Sequence, residues 1–239
     1  MPDPTPTQWP VLSMTERRLL GVLVEKQKTT PDVYPMSLNA LVTGSNQKSN
    51  REPVLTLNGD EVEETLQGLQ RQALATRVDS GRVEKWRHLL YEAWNVNKEE
   101  IAVLAELLLR GPQTEGELRG HVSRLEPVAD LDALRALLRP MSERGLVVYL
   151  TPEGRRGTML THGFHSPEEL ERLRTRSAHE SVSDEPPRPR AAVADPDRLA
   201  ALAARVDELA AGQAELRESL AALQAQVRSL QESAGRTPP

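Results

Sequence analysis

Asn46-Gln47-Lys48-Ser49-Asn50-Arg51 sets amide, hydroxyl and cationic donors in one run with no apolar residue. Such groups donate hydrogen bonds to phosphate, carboxylate and carbonyl oxygens. The surrounding stretch, Thr29 to Leu57, holds only Asp32 and Glu52 as acids. A surface of that kind suits an anion or a carbonyl-lined partner, and Asn46, Gln47, Lys48, Asn50 and Arg51 are its candidate binding residues. The competing role for the same side chains is to cap the helix before them and tie their own loop. A second basic group follows at Arg77, Arg82, Lys85 and Arg87, with His88 beside it. Asp79 and Glu84 stand among these residues and offset part of their charge.

Chemistry of other kinds finds little to work with. The absence of cysteine excludes disulfides, zinc–thiolate sites and thiol nucleophiles. His162 and His165 stand three apart at a predicted strand end and turn, with no acid recognised beside them. His88, His121 and His179 are isolated. There is no glycine-rich phosphate loop, serine-centred elbow or HExxH motif. No catalytic residue, metal site or cofactor is therefore expected, and the chain reads as non-enzymatic.

The elements that must carry these residues repeat once. Ser13 and Glu16 form a capping box ahead of Leu19, Leu20 and Leu23 on one helical face. A second helix is predicted from Ser37, and a third, capped by Asn58, carries Val62, Leu66 and Leu69. A hairpin follows, through Val78, a Ser80-Gly81 turn and Val83 to His88. The second copy begins with Ile101, Leu104, Leu107 and Leu108, stopped at Gly111-Pro112. Thr114 and Glu117 cap its second helix, and Leu131, Leu134, Leu138 and Met141 line its third, which Pro140 should kink or shorten. Leu146 to Leu150 and Thr158 to Thr161 are its hairpin strands. Helix, helix, helix, hairpin is the winged-helix order. The predicted fold class is mainly α, an α+β tandem of two winged-helix domains with a C-terminal coiled-coil helix.

The predicted divisions are a disordered N-terminus over 1–12, domains over 13–95 and 96–165, a short helix over 166–176 and a flexible linker over 177–196. A coiled coil over 197–232 and a disordered C-terminus over 233–239 complete them. In the coiled coil, Leu199, Leu202, Val206, Leu209, Gln213, Leu216, Leu220, Leu223, Val227 and Leu230 recur at alternating spacings of three and four. Leucine at every d position, with valine and one polar residue at a, favours a parallel two-stranded coil and hence a homodimer. The N-terminal residues show neither a basic start nor an apolar run, so no signal peptide is read. No stretch approaches the roughly 20 apolar residues of a membrane span. The expectation is a cytoplasmic protein without membrane contact.

Three blocks, GVLVEKQKTTPDVYPMSLNALVTGSNQKSNREPV, RVEKWRH and ELLLRGPQTEGELRG, resemble the YceH family of bacterial proteins. The resemblance covers about Leu12 to Gly163. It implies two winged-helix domains and carries no catalytic residues. Ser45 stands where those relatives often have cysteine, and GRRGTMLTHGF matches their closing block only loosely.

Winged helices commonly bind DNA with the third helix in the major groove. Here that helix opens Asn58-Gly59-Asp60-Glu61-Val62-Glu63-Glu64, and its counterpart opens Asp130-Leu131-Asp132. Acid there suits the helix dipole but repels phosphates within a Debye length of about 8 Å. The net charge is −5, and neither predicted domain is basic in sum. Two functions follow from the sequence. One is a regulatory or chromosome-associated protein that touches DNA through loop and wing. The other is a protein–protein adaptor with no direct DNA contact.

Overall fold

Local capping sets where the helices begin. In the computed structural model, which describes residues 9–79, 83–155 and 157–182, Ser13 Oγ accepts from Glu16 N at 3.2 Å. The Glu16 carboxylate accepts from Ser13 N at 2.7 Å, so α1 runs Met14–Thr29. Ser37 caps α2 (Leu38–Ser45), and Asn58 closes a box with Glu61 at the head of α3 (Gly59–Arg71). β1 (Met36–Ser37), β2 (Ala75–Asp79) and β3 (Glu84–His88) form an antiparallel sheet in the order β1-β3-β2. Met36 lies opposite Trp86, and Arg77 faces Trp86 from the other side.

A short helix, α4 (Leu90–Ala93), leads to the second copy of the same order. There α5 spans Lys98–Arg110, and Gly111 ends it at φ 73°, a backbone conformation that favours glycine. β4 (Gln113–Thr114), α6 (Glu115–Val122), α7 (Leu131–Glu143), β5 (Val147–Tyr149) and β6 (Met159–His162) follow, with strand order β4-β6-β5. The described chain ends with α8 (Pro167–Val182).

The two first helices lie at the centre. Leu19, Leu20, Val22, Leu23 and Val24 of α1, and the apolar residues of α5 from Ile101 to Leu109, are buried in one continuous apolar cluster. The repeats therefore share a core within one compact unit. The shared burial follows from the pattern of the first helices. Both are apolar over more than one face, so each needs a second helix against it as well as its own repeat.

Two sequence expectations differ from what is seen. Residues 9–12 belong to the fold, because Leu12 is buried and donates its N–H to Phe164 O at 3.0 Å, while Trp9 Nε1 donates to Arg144 O at 2.8 Å. The helix expected over 166–176 continues to Val182, into the stretch predicted as linker. Pro140 lies inside α7, which runs on to Glu143. It sits on the exposed side near the last turn, and Arg144 N donates to its carbonyl. The Ser80-Gly81 turn, Arg82, the remaining linker and all the heptad residues from Leu199 to Leu230 lie outside the described residues.

Candidate functional site

The donor-rich loop between α2 and α3 turns most of its donors inward. Asn46 Nδ2 donates to Leu57 O, and Asn46 Oδ1 accepts from Leu57 N, each at 2.8 Å, which staples the two ends of the loop. Arg51 is buried. Its guanidinium donates to both oxygens of Glu25 on α1, to Gly44 O at 3.2 Å, to Asn50 O at 2.9 Å and to Gln47 Oε1 at 2.9 Å. Arg18, one turn before Gly21 on α1, reaches Ser45 O and Pro53 O from beneath. Burial, with the adjacent Arg51 charge, pushes the Arg18 guanidinium down to about 10. Arg18 and Glu25 lie two turns apart on one face of α1. That face receives the loop.

The loop's outer rim meets the second repeat. Glu52 N donates to Leu109 O at 2.9 Å, and Arg110 Nη2 donates to Asn50 Oδ1 at 2.7 Å, with Asn50 at φ 61°. Between them opens a cavity of about 340 Å³, lined by Asn50, Arg51, Glu52, Arg110, Pro112, Gln113, Glu117 and His121. The volume lies in the range of small-ligand sites, roughly 300–1,000 Å³, and such sites favour junctions between structural units. Arg110 Nε is held by Glu106 at 2.8 Å. His121 Nδ1 lies 2.5 Å from Gln113 Oε1, whose amide also donates to Glu106 O. Burial, then the positive charges of Arg110 and Arg124, lowers the His121 pKa, so the ring is neutral near pH 7. Glu117 is held below the usual carboxylate range by hydrogen bonds from the Thr114 backbone and hydroxyl. The walls are thus fixed, polar and mixed in charge.

Of the sequence-predicted residues, Asn50 and Arg51 line this cavity, and Asn46 and Gln47 brace the loop behind it. Lys48 is exposed and makes no hydrogen bond or ion pair among the described residues. The strand residues form a separate group. Arg77 pairs with Glu84 at 2.8 Å in the open, while Lys85 and Arg87 share the sheet face opposite to buried Trp86 and His88. Arg110, Gln113, Glu117 and His121 escaped sequence reading, because their meeting with Asn50 depends on how the repeats pack. Two of the blocks that carry the family resemblance, TGSNQKSNREPV and ELLLRGPQTEGELRG, converge here from either side.

The histidine pair near residue 162 does have an acid beside it. His165 Nδ1 lies 3.0 Å from Glu169 Oε2, in the helix expected over 166–176. Among the described residues no three His, Asp or Glu side chains gather as a metal site, and no helix is long and apolar enough to cross a membrane.

Two repeats of helix, helix, helix and hairpin around a shared core, with a polar cavity at their seam, define a mixed α/β protein of paired helix–hairpin units. The family model described as "Protein of unknown function, DUF480" matches residues 12–156, and the chain belongs to that family. A UPF0502 protein of Rhodopirellula baltica is 48% identical over 159 residues, covering 66% of this chain and 67% of that one. A UPF0502 protein of Pelobacter propionicus is 52% identical over 136 residues, a match that spans only 62% of its length. One from Xanthomonas campestris pv. campestris is 38% identical over 228 residues, covering 95% of this chain and 98% of its own.

Proposed function

We propose that this protein is a non-enzymatic adaptor of the YceH type, a cytoplasmic tandem winged-helix protein that binds another protein. The heptads from Leu199 to Leu230 make it a homodimer. One observation carries the choice of protein over DNA. The exposed side of α3 presents Asp60, Glu63 and Glu64, where a DNA-reading helix would need neutral or basic side chains. The loop beside it offers no compensation, since Arg51 is spent on Glu25 and only Lys48 points outward unpaired among the described residues. Carboxylates closer to phosphates than the roughly 8 Å Debye length oppose docking.

A second reading has its own support. Lys85 and Arg87 lie on one sheet face, away from the acidic helix, and could hold a phosphate backbone without reading bases. Fluorescence anisotropy with random duplex DNA at low and moderate salt separates the two. The adaptor reading expects no binding at micromolar protein even at low salt. Micromolar binding that weakens steeply with salt, and is lost on Lys85→Ala with Arg87→Ala, establishes the DNA reading instead. Affinity capture from the source cells, repeated with Glu63→Lys and Glu64→Lys, then tests the adaptor directly: a specific partner should be lost with the variant. Light scattering on a chain ending at Val182 should give a monomer where the full chain is a dimer.

A further inference from the structure

His162 and His165 stack face to face, with ring centroids 3.9 Å apart and planes 14° from parallel. His162 is buried, and its Nδ1 accepts from Phe164 N at 3.2 Å, which leaves the ring neutral with its proton on Nε2. His165 has Thr161 Oγ1 2.9 Å from Nε2 and Glu169 Oε2 3.0 Å from Nδ1. Glu169 in turn receives both terminal nitrogens of Arg17, and Arg17 Nε donates to Leu12 O at 2.8 Å. These side chains join the start of α1, the end of β6 and the first turn of α8. Leu170 and Leu173 of α8 are half-buried and Ser177 is buried, while most of the helix's other described positions are exposed.

We propose that His162, His165, Glu169 and Arg17 form an acid-sensitive latch that fixes α8 to the two-repeat body and releases it when the histidine pair takes up protons. Two stacked imidazolium rings at this separation repel each other in a site shielded from water. The charged groups around the pair are few. Arg17 faces it from α1 and opposes protonation, and Glu169 faces it from α8 and favours a charge on His165 only. On α5, which also packs against β6, Glu100 is already paired with Arg144 at 3.2 Å. The first proton therefore goes to His165 and the second has no partner on His162. Burial is the main reason both rings sit below the ordinary histidine value, followed for His162 by His165 and Arg17. Glu169 stays ionised throughout. Burial opposes its charge, yet the hydrogen bonds from Arg17 and His165 hold it at about 2.

A released α8, in which the histidines regain ordinary pKa values near 6.5, binds protons that the latched form does not. Its population then rises about tenfold per histidine for each pH unit below that value.

Hydrogen exchange on the full-length chain tests this, with rates corrected for the intrinsic pH effect. Between pH 7.5 and pH 5.5, amides of residues 168–178 should lose protection by about tenfold or more, while residues 101–108 of α5 keep theirs. Glu169→Gln should bring the same loss at pH 7.5. His165→Asn, which removes one of the two titrating rings, should shrink the pH effect. Unchanged protection of α8 at pH 5.5 overturns the latch. So does an equal loss in α5, which means global unfolding instead of local release.

Discussion

Gly21 of α1 and Leu109 of α5 pack so closely that a Cβ on Gly21 would lie 2.7 Å from Leu109 Cγ and 3.4 Å from Ala105 O. The seam between the repeats has no room for a side chain at this point. Loop and cavity both depend on it, because Glu52 N bonds to Leu109 O and Arg110 follows directly.

Gly21→Val should therefore destabilise the whole unit. Replacing a mid-helix glycine gains at most about 1 kcal/mol of helix propensity. Overpacking of a close-packed core costs typically about 1–3 kcal/mol, and here a β-branched side chain meets both Leu109 and the α5 backbone. The net effect should be a loss of about 2 kcal/mol, read as a lower urea midpoint with an unchanged slope. A midpoint at or above that of the parent would show that α5 can slide away at no cost.

Arg51 and Lys48 looked alike in sequence but should behave differently. The Arg51 side chain is fully buried and that of Glu25 is 16% exposed. Removing one partner of such a pair strands the other and costs about 3–5 kcal/mol. Arg51→Ala should thus cut stability severely, whereas Lys48→Ala should change it by less than about 0.5 kcal/mol. The double change Arg51→Met with Glu25→Leu should be milder than the sum of the two single changes. Additive losses would mean that the pair is not coupled.

The contrast shows what a sequence yields. The caps at Ser13, Asn58 and Thr114 are legible because each bonds within three residues of itself. The repeat is legible because apolar spacing is local too. The direction of Arg51 is not, since Glu25 lies 26 residues away on a helix that reads mainly as core. Glu169 was legible only as one position of the helix expected over 166–176. Its carboxylate bonds to Arg17, 152 residues earlier. Of the cavity, Asn50 and Arg51 stood out as a run of donors, but the wall made by Arg110, Gln113 and His121 meets them only once α1 packs on α5.

His88 gives the fold a pH dependence separate from the latch. Burial, then the charges of Arg87 and Lys28, pushes its pKa down to about 4. Its Nε2 lies 2.8 Å from Gln27 Oε1, and its Nδ1 accepts from Leu90 N. The unfolded chain protonates this ring near pH 6.5 and the folded chain does not. The stabilisation is thus present above pH 6.5 and is lost as pH falls from there towards 4. The full loss is on the order of 3 kcal/mol at about 1.4 kcal/mol per unit. Urea midpoints at pH 7.5 and 4.5 should drop less for His88→Gln than for the parent chain. Equal drops would place the acid sensitivity elsewhere.

Gly163 should be the least replaceable glycine of the second hairpin, for reasons of space rather than backbone handedness. A Cβ there would fall 1.8 Å from Gly145 O, inside covalent-contact range of a main-chain atom. Gly154 and Gly157 require positive φ but have open space around them, so alanine there meets mainly backbone strain of about 1–2 kcal/mol. At Gly163 the obstacle is the turn after α7, and it cannot rotate aside as a side chain could. Gly163 N also donates to Leu146 O at 2.8 Å, which ties β6 to the residue that enters β5. Alanine must push these strands apart, and with them Leu146, Val147 and the neighbouring Phe164, all of them core residues. Gly163→Ala should therefore cost at least about 3 kcal/mol, at the high end for a single added methyl. Gly154→Ala should cost less than half of that. Thermal unfolding of the two variants side by side gives the order, and a reversal would show that the hairpin base yields more easily than its turn.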